Sequence, residues 1–233
     1  MSNTILFLVL NMTKNQERYE NIKKMLDELP ECKYHRIEAV DGTHMENDPD
    51  VNRILSCRPE LIERTFSFKN LNKTKLEEWK YDGSVGKSFP GLNLTGHMGA
   101  KGLIMSNLKA FEVASESYYS WYCILEDDAE IDLDAYISIL HFLYHNHTKY
   151  DIILLDKRAE GFGGTAGMLY KSTIIKQVYN DLHPLSEFSI TLEDNTTVST
   201  LWDWKIWQYL KLFSIKSTEL PCIESGKFES TIS

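Results

Sequence analysis

Residues 121–136 read WYCILEDDAEIDLDAY: an apolar run through Leu125, then Glu126, Asp127, Asp128, Glu130, Asp132 and Asp134 in close succession. The apolar run has the length and character of a buried strand. The acids that follow repel one another, and crowding raises the pKa of one or more of them, so such a knot persists where a cation or a proton compensates it. Alternate residues of an extended chain share a face. Strand geometry carried through the acids therefore puts Glu126 and Asp128 on one side and Asp127 on the other. Asp132 and Asp134 precede a helical pattern on Tyr136, Ile139, Leu140 and Leu143, and have the placement of capping residues. Ligands of open α/β sheets bind just off the carboxyl ends of the strands, which is where these acids fall.

Outward from this stretch the same alternation of elements continues. TILFLVL (4–10) is a strand apolar on both faces, as in a parallel sheet. Tyr19, Ile22, Leu26 and Leu29 recur at helical spacing before Pro30. YHRIEAV (34–40) is a second strand, closed by the turn pair Asp41-Gly42. This strand, helix, strand order is a βαβ unit, right-handed by rule. Further on, the patterns predict helices at about 100–117 and 134–145, strands at 120–126 and 150–156, and a Gly-rich turn before a strand at MLY (168–170). Helices follow near 172–182 and over LWDWKIWQYLKLF (201–213), then a polar tail. Residues 43–95 break the rhythm, being polar and carrying Gly83, Gly86, Pro90 and Gly91, which predicts an insertion with short helices. The expectation is one α/β domain over residues 1–233 with a mostly parallel, Rossmann-like sheet and an insertion at about 43–95.

Bulk properties narrow the function. A formal net charge of −9 argues against a nucleic-acid partner held by its phosphates. An anionic small substrate would need a cation or local basic side chains against that field. Six consecutive apolar residues near the start are too few for a signal peptide or a membrane span, and no later run is long enough. Cys32, Cys57, Cys123 and Cys222 form no CxxC pair and suit reduced thiols, so a cytoplasmic location without a membrane span is expected. Two apparent motifs fail. GSVGKS (83–88) resembles a phosphate loop, but the first glycine of that pattern is replaced by Tyr81 and no helix pattern follows. His141, His145 and His147 have zinc-like spacing, but no acid or cysteine completes a set locally. Glu126 and Asp128 are better placed: two carboxylates suit Mn²⁺ or Mg²⁺ with positions left for a diphosphate.

ILEDDAEI (124–131) resembles the LEDD element of glycosyltransferase family 25, which includes lipooligosaccharide and collagen galactosyltransferases. VLNMTKNQERYENI (9–22) is similar to the family's opening strand and turn, HRIEAVDG (35–42) to its R-x-x-A-V-D-G, and GAKGLIMSNLKAF (99–111) to its glycine and serine helix. GGTAGMLYKS (163–172) and the terminal FESTIS (228–233) continue the resemblance in order. It implies a GT-A type, inverting, metal-dependent glycosyltransferase. Glu126 and Asp128 would be metal ligands, with Asn11, Arg18, Asp41, Gly99, Gly102, Ser106, Asn107, Glu126 and Asp127 at the donor. The donor it implies is UDP-galactose, although no residue here distinguishes that from UDP-glucose or UDP-N-acetylglucosamine. The acceptor it implies is a glycan or a glycoprotein.

The chain departs from the family at Ala100, Asn107 and Phe111, where the family carries glutamate, histidine and tryptophan. Asparagine cannot act as an acid or base near neutral pH. That leaves a non-catalytic nucleotide- or glycan-binding relative as the alternative. A general base has to lie apart from the metal acids, on the face opposite the leaving UDP. Asp203, set among Trp202, Trp204 and Trp207, is the candidate, with Glu193 and Asp194 in reserve.

Overall fold

The computed structural model of the chain describes residues 4–42, 98–157, 165–182, 189–191, 197–199 and 215–225. Strand β1 (Ile5–Asn11) is buried along its whole length. Its side chains divide by parity between two apolar layers. Leu6, Leu8 and Leu10 enter one, and Ile5, Phe7 and Val9 the other. A strand that is apolar on both faces is stable only with helices on both, and the chain supplies them.

Helix α1 (Gln16–Asp27) buries Ile22 and Leu26 in the layer of Phe7. Strand β2 (Tyr34–Glu38) pairs in parallel with β1. Helix α2 (Met98–Ser115) crosses the opposite face through Ile104, Leu108 and Phe111. Strand β3 (Trp121–Glu126) then pairs in parallel on the other side of β1. Successive crossovers thus leave β1 toward opposite sides of the sheet. The crevice between the carboxyl ends of β1 and β3 is the point where the strand order reverses, the usual ligand position in such sheets.

Strand β4 (Ala129–Glu130) and helix α3 (Leu133–Asn146) follow the acids. Asp132 caps α3, its carboxylate accepting from the Ala135 amide at 2.8 Å, as expected of a helix-start aspartate. Helix α3 packs through Ala135, Tyr136, Ile139 and Leu143. Leu140, expected among the inward positions, is instead exposed, in a row with Leu133, Ile137 and Tyr144. The apolar arc of this helix is wider than the face it packs.

Strands β5 (Ile152–Asp156) and β6 (Gly167–Lys171) and helix α4 (Ser172–Leu182) extend the two layers. A small antiparallel pair, β7 (Ser189–Thr191) with β8 (Thr197–Ser199), stands apart from the main sheet. Strand β9 (Ser217–Ser225) occupies the segment expected to be a polar tail. It lies beside β5 in the order β2-β1-β3-β6-β5-β9-β4. Pro221 explains why its pattern misleads: without an N–H it cannot join a regular ladder, and the β5–β9 register shifts between Leu154 and Asp156 on either side of it. Strands β2, β1, β3, β5 and β9 run one way, while β6 and β4 run against them. The sheet is therefore mixed, with parallel strands in the majority. Phe111 meets Tyr170 edge to face at 5.0 Å in one layer. Full burial of such a side chain contributes about 1.5–3 kcal/mol. Among the described residues no helix is long and apolar enough to cross a membrane.

Candidate functional site

At the carboxyl edge of the sheet, β1 ends at Asn11 and β3 ends at Glu126, with Leu10 opposite Glu126 in the register. The strand stops there. Asp127 and Asp128 form a turn, so the alternation that would carry Asp128 onto the face of Glu126 ends one residue too early, and the turn sets where Asp128 lies.

Asn11 is fully buried, and its carboxamide connects three segments. Its Nδ2 donates to Asp127 Oδ2 at 2.6 Å and to the Asn15 carbonyl at 3.0 Å, while its Oδ1 accepts from Arg36 at 2.5 Å. Arg18 approaches the other oxygen of Asp127 at 3.3 Å, in an ion pair whose side chains are each only 12% exposed. Burial raises the Asp127 carboxyl above its ordinary range; hydrogen bonds from Asn11 and the charge of Arg18 counter this, and neighbouring Asp128 adds to it. Asn11 and Arg18, grouped with Asp127 by sequence, therefore both contact its carboxylate. Asp127 faces inward to the β1–α1 junction, and this engagement orients the acid turn.

Glu126 is held from the other side. Its Oε1 accepts from the Thr165 hydroxyl at 2.8 Å, and its amide donates to the Ala166 carbonyl at 3.0 Å. The Ala166 amide in turn donates to buried Asp156 at 3.0 Å. The residues just before β6 thus brace the end of β3 and the end of β5 together.

The second strand end is built differently. Asp41 pairs with Lys14 at 2.6 Å, which ties the exit of β2 to the turn before α1. Gly102 lies against this exit: a Cβ there would stand 2.6 Å from the Val40 carbonyl oxygen and 2.8 Å from the Gly42 amide nitrogen. One turn on, the Ser106 hydroxyl accepts from the Val40 amide at 2.8 Å and donates to the Gly102 carbonyl at 2.7 Å. Gly102 and Ser106 so clamp the segment that carries Asp41. Asn107 is 3% exposed, its amide donating to the Leu103 carbonyl at 3.0 Å. Gly99 lies in the first turn of α2.

Asp203, the tryptophans beside it, Glu193, Asp194 and the whole 43–95 insertion lie outside the described residues, as does the terminal FESTIS. Among the described residues no group of three or more His, Cys, Asp or Glu side chains is arranged to hold a metal ion. That includes His141 and His145, whose rings contact one another at 4.6 Å. Among the described residues the carboxylates at the β3 end are those of Glu126, Asp127 and Asp128, with Asp127 engaged by Asn11 and Arg18.

Arg36 and Thr165 belong to the site although they were not singled out as candidates. Both sit inside recognisable stretches, HRIEAVDG and GGTAG, but their partners are far away in sequence, and spacing alone does not point to them. No curated protein matches the chain. The sequence profile of glycosyltransferase family 25 (LPS biosynthesis protein) matches residues 4–181. That span holds the acid turn, the Asn11 contacts that orient it and the Gly102–Ser106 clamp, so the chain belongs to glycosyltransferase family 25.

Proposed function

We propose that the chain is an inverting, metal-dependent glycosyltransferase that moves a hexose, galactose, from a UDP-sugar to a hydroxyl of a glycan or protein-linked acceptor. The observation that carries this reading is the acid turn at the carboxyl end of β3, beside the crevice where the strand order reverses, with Asp127 turned inward by Asn11 and Arg18. Glu126 and Asp128 supply carboxylate oxygens, a donor set that suits Mn²⁺ or Mg²⁺. When bound, such a cation would neutralise charge on the departing diphosphate.

The rest falls to the chain's own side chains. Glu126, braced by Thr165, and Asp128 would hold that cation, whose charge draws in the diphosphate end of the donor. Asp41, clamped against α2, is near enough to a strand end to address the ribose or the uracil. Asp203 takes the proton from the acceptor hydroxyl. A cytoplasmic location fits the spacing of the cysteines. The test is incubation with a panel of nucleotide sugars, with and without Mn²⁺, scoring release of the nucleotide. Metal-dependent release from a UDP-hexose supports the reading, with UDP-galactose the expected best donor.

A second reading, binding without transfer, draws on Asn107. It replaces the histidine of the family pattern, is buried, and donates back to its own helix, so that position offers no proton transfer. Tight UDP binding without release from any sugar donor would favour it.

A further inference from the structure

We propose that Arg36 is a positioning residue for the acid turn and acts through Asn11. This rests on the reading of Glu126 and Asp128 as the donor-site acids. Arg36 lies on β2, opposite Val9 of β1. Its guanidinium sits over the Tyr19 ring at 4.4 Å and donates to Gln16 Oε1 at 3.3 Å and to Asn11 Oδ1 at 2.5 Å.

The chemistry of the four groups leaves one arrangement. A guanidinium only donates hydrogen bonds, whereas an ionised carboxylate and a backbone carbonyl only accept them. A carboxamide has one end of each kind. With Oδ1 toward Arg36, the two amide hydrogens of Asn11 reach Asp127 and the Asn15 carbonyl, and every partner is satisfied. Turned over, its oxygen would face Asp127 Oδ2 at 2.6 Å and the Asn15 carbonyl at 3.0 Å, and its amino group would face a donor at 2.5 Å. Arg36 thereby selects the orientation of Asn11. Asn11 and Arg18 then grip the two oxygens of Asp127 from different directions and fix the rotation of that carboxylate. Asp128 is the next residue of the same turn, so the placement of a proposed metal ligand depends on a side chain two strands away from it.

The test measures UDP affinity in the presence of Mn²⁺ by calorimetry, together with urea denaturation midpoints. The proteins are the wild type, Arg36→Met, Arg36→Lys, Asn11→Ala and the Arg36→Met/Asn11→Ala double variant. Methionine keeps an apolar stem over Tyr19 and removes the donors. Losing a hydrogen bond from a charged donor corresponds to a fold-change of about ten or more in affinity. Arg36→Met is expected to weaken UDP binding by about ten-fold, and Arg36→Lys to recover most of that, since an ammonium still donates to Oδ1. The double variant is expected to bind no more weakly than Asn11→Ala alone, because the effect passes through Asn11. A merely structural Arg36 would lower the denaturation midpoint and leave affinity unchanged where the protein is folded. Wild-type affinity in Arg36→Met, or losses that multiply in the double variant, would overturn the proposal. If the wild type binds no UDP with Mn²⁺, the donor-site reading fails instead. The denaturation midpoints then decide the Arg36–Asn11 link, additive losses counting against it and sub-additive losses for it.

Discussion

Replacing Gly102 by alanine separates two roles for that glycine, close approach of a donor and close packing of α2. In an unconstrained helix interior the change stabilises by about 1 kcal/mol. Here the added Cβ would lie 2.6 Å from the Val40 carbonyl oxygen, 2.8 Å from the Gly42 nitrogen and 3.2 Å from the Gly42 Cα. All three are backbone atoms, so no rotamer change relieves the contact, and α2 or the exit of β2 must retreat by about half an ångström or more. Overpacking of this kind costs about 1–3 kcal/mol. The retreat also stretches the 2.8 Å bond from the Val40 amide to Ser106 past the usual limit of about 3.2 Å, losing about 1 kcal/mol. Set against the helix-propensity gain, the net expectation is destabilisation of about 2 kcal/mol, read as a lower urea midpoint at unchanged slope. Gly167→Ala is the internal comparison. Its Cβ would meet Ile223 Cδ1 at 2.7 Å and Leu125 Cδ2 at 3.2 Å, side-chain ends that can turn aside, so a smaller loss is expected. A Gly102→Ala protein as stable as wild type, with only its UDP affinity reduced, would refute the packing argument and return the glycine to the donor.

Asp128→Asn is expected to abolish Mn²⁺-dependent UDP binding in calorimetry while leaving the unfolding free energy from urea denaturation within about 0.5 kcal/mol of wild type, as for substitutions away from the core. Asp203→Asn should keep UDP binding and lose transfer by about two to four orders of magnitude, the span of general-base catalysis; transfer within a few-fold of wild type would move the role to Glu193 or Asp194. Burial pushes the Cys32 and Cys222 thiols up to about 11 from 9.0. A folded pKa above the unfolded one favours folding while the thiol is protonated, so that contribution is complete below about pH 9 and fades as the pH climbs toward 11. The Cys32→Ser/Cys222→Ser variant should therefore lose less of its urea midpoint than wild type between pH 9 and 11, and alkylation of Cys32 and Cys222 in the folded wild type at pH 8, followed site by site, should be slow.

Much of the fold is legible because β1 and β3 are apolar on both faces, a pattern that only a sheet covered by helices on both sides accommodates. Strand β9 was not legible. Among the described side chains of STELPCIES only Ile223 is buried, and an exposed proline stands at its middle, so its strand character comes from the neighbours β5 and β4 rather than from its own pattern. Leu140 failed for a related reason: helical spacing identifies an apolar arc but not how much of that arc finds a partner. The candidate site divides the same way. An apolar run that stops at acids is visible in one line of text. The contact of Asp127 with Asn11 spans 116 residues, and that of Glu126 with Thr165 spans 39; nothing local in the chain encodes either.

Asn11 also bears on how β1 finds its register during folding. Flat, doubly apolar strands specify their alignment weakly when any residue packs about as well as the next. A slip by one position exchanges every side chain between the two layers. For β1 that exchange would carry the Asn11 carboxamide away from Arg36, Asn15 and Asp127 into an apolar layer. A buried polar group stranded in this way costs about 1–3 kcal/mol, and Asp127 and Arg36 would each lose a partner as well. Shifted pairings of β1 with β2 and β3 are thus penalised by the contacts that orient the acid turn, and the strand alignment that assembles the core is the one that assembles the crevice.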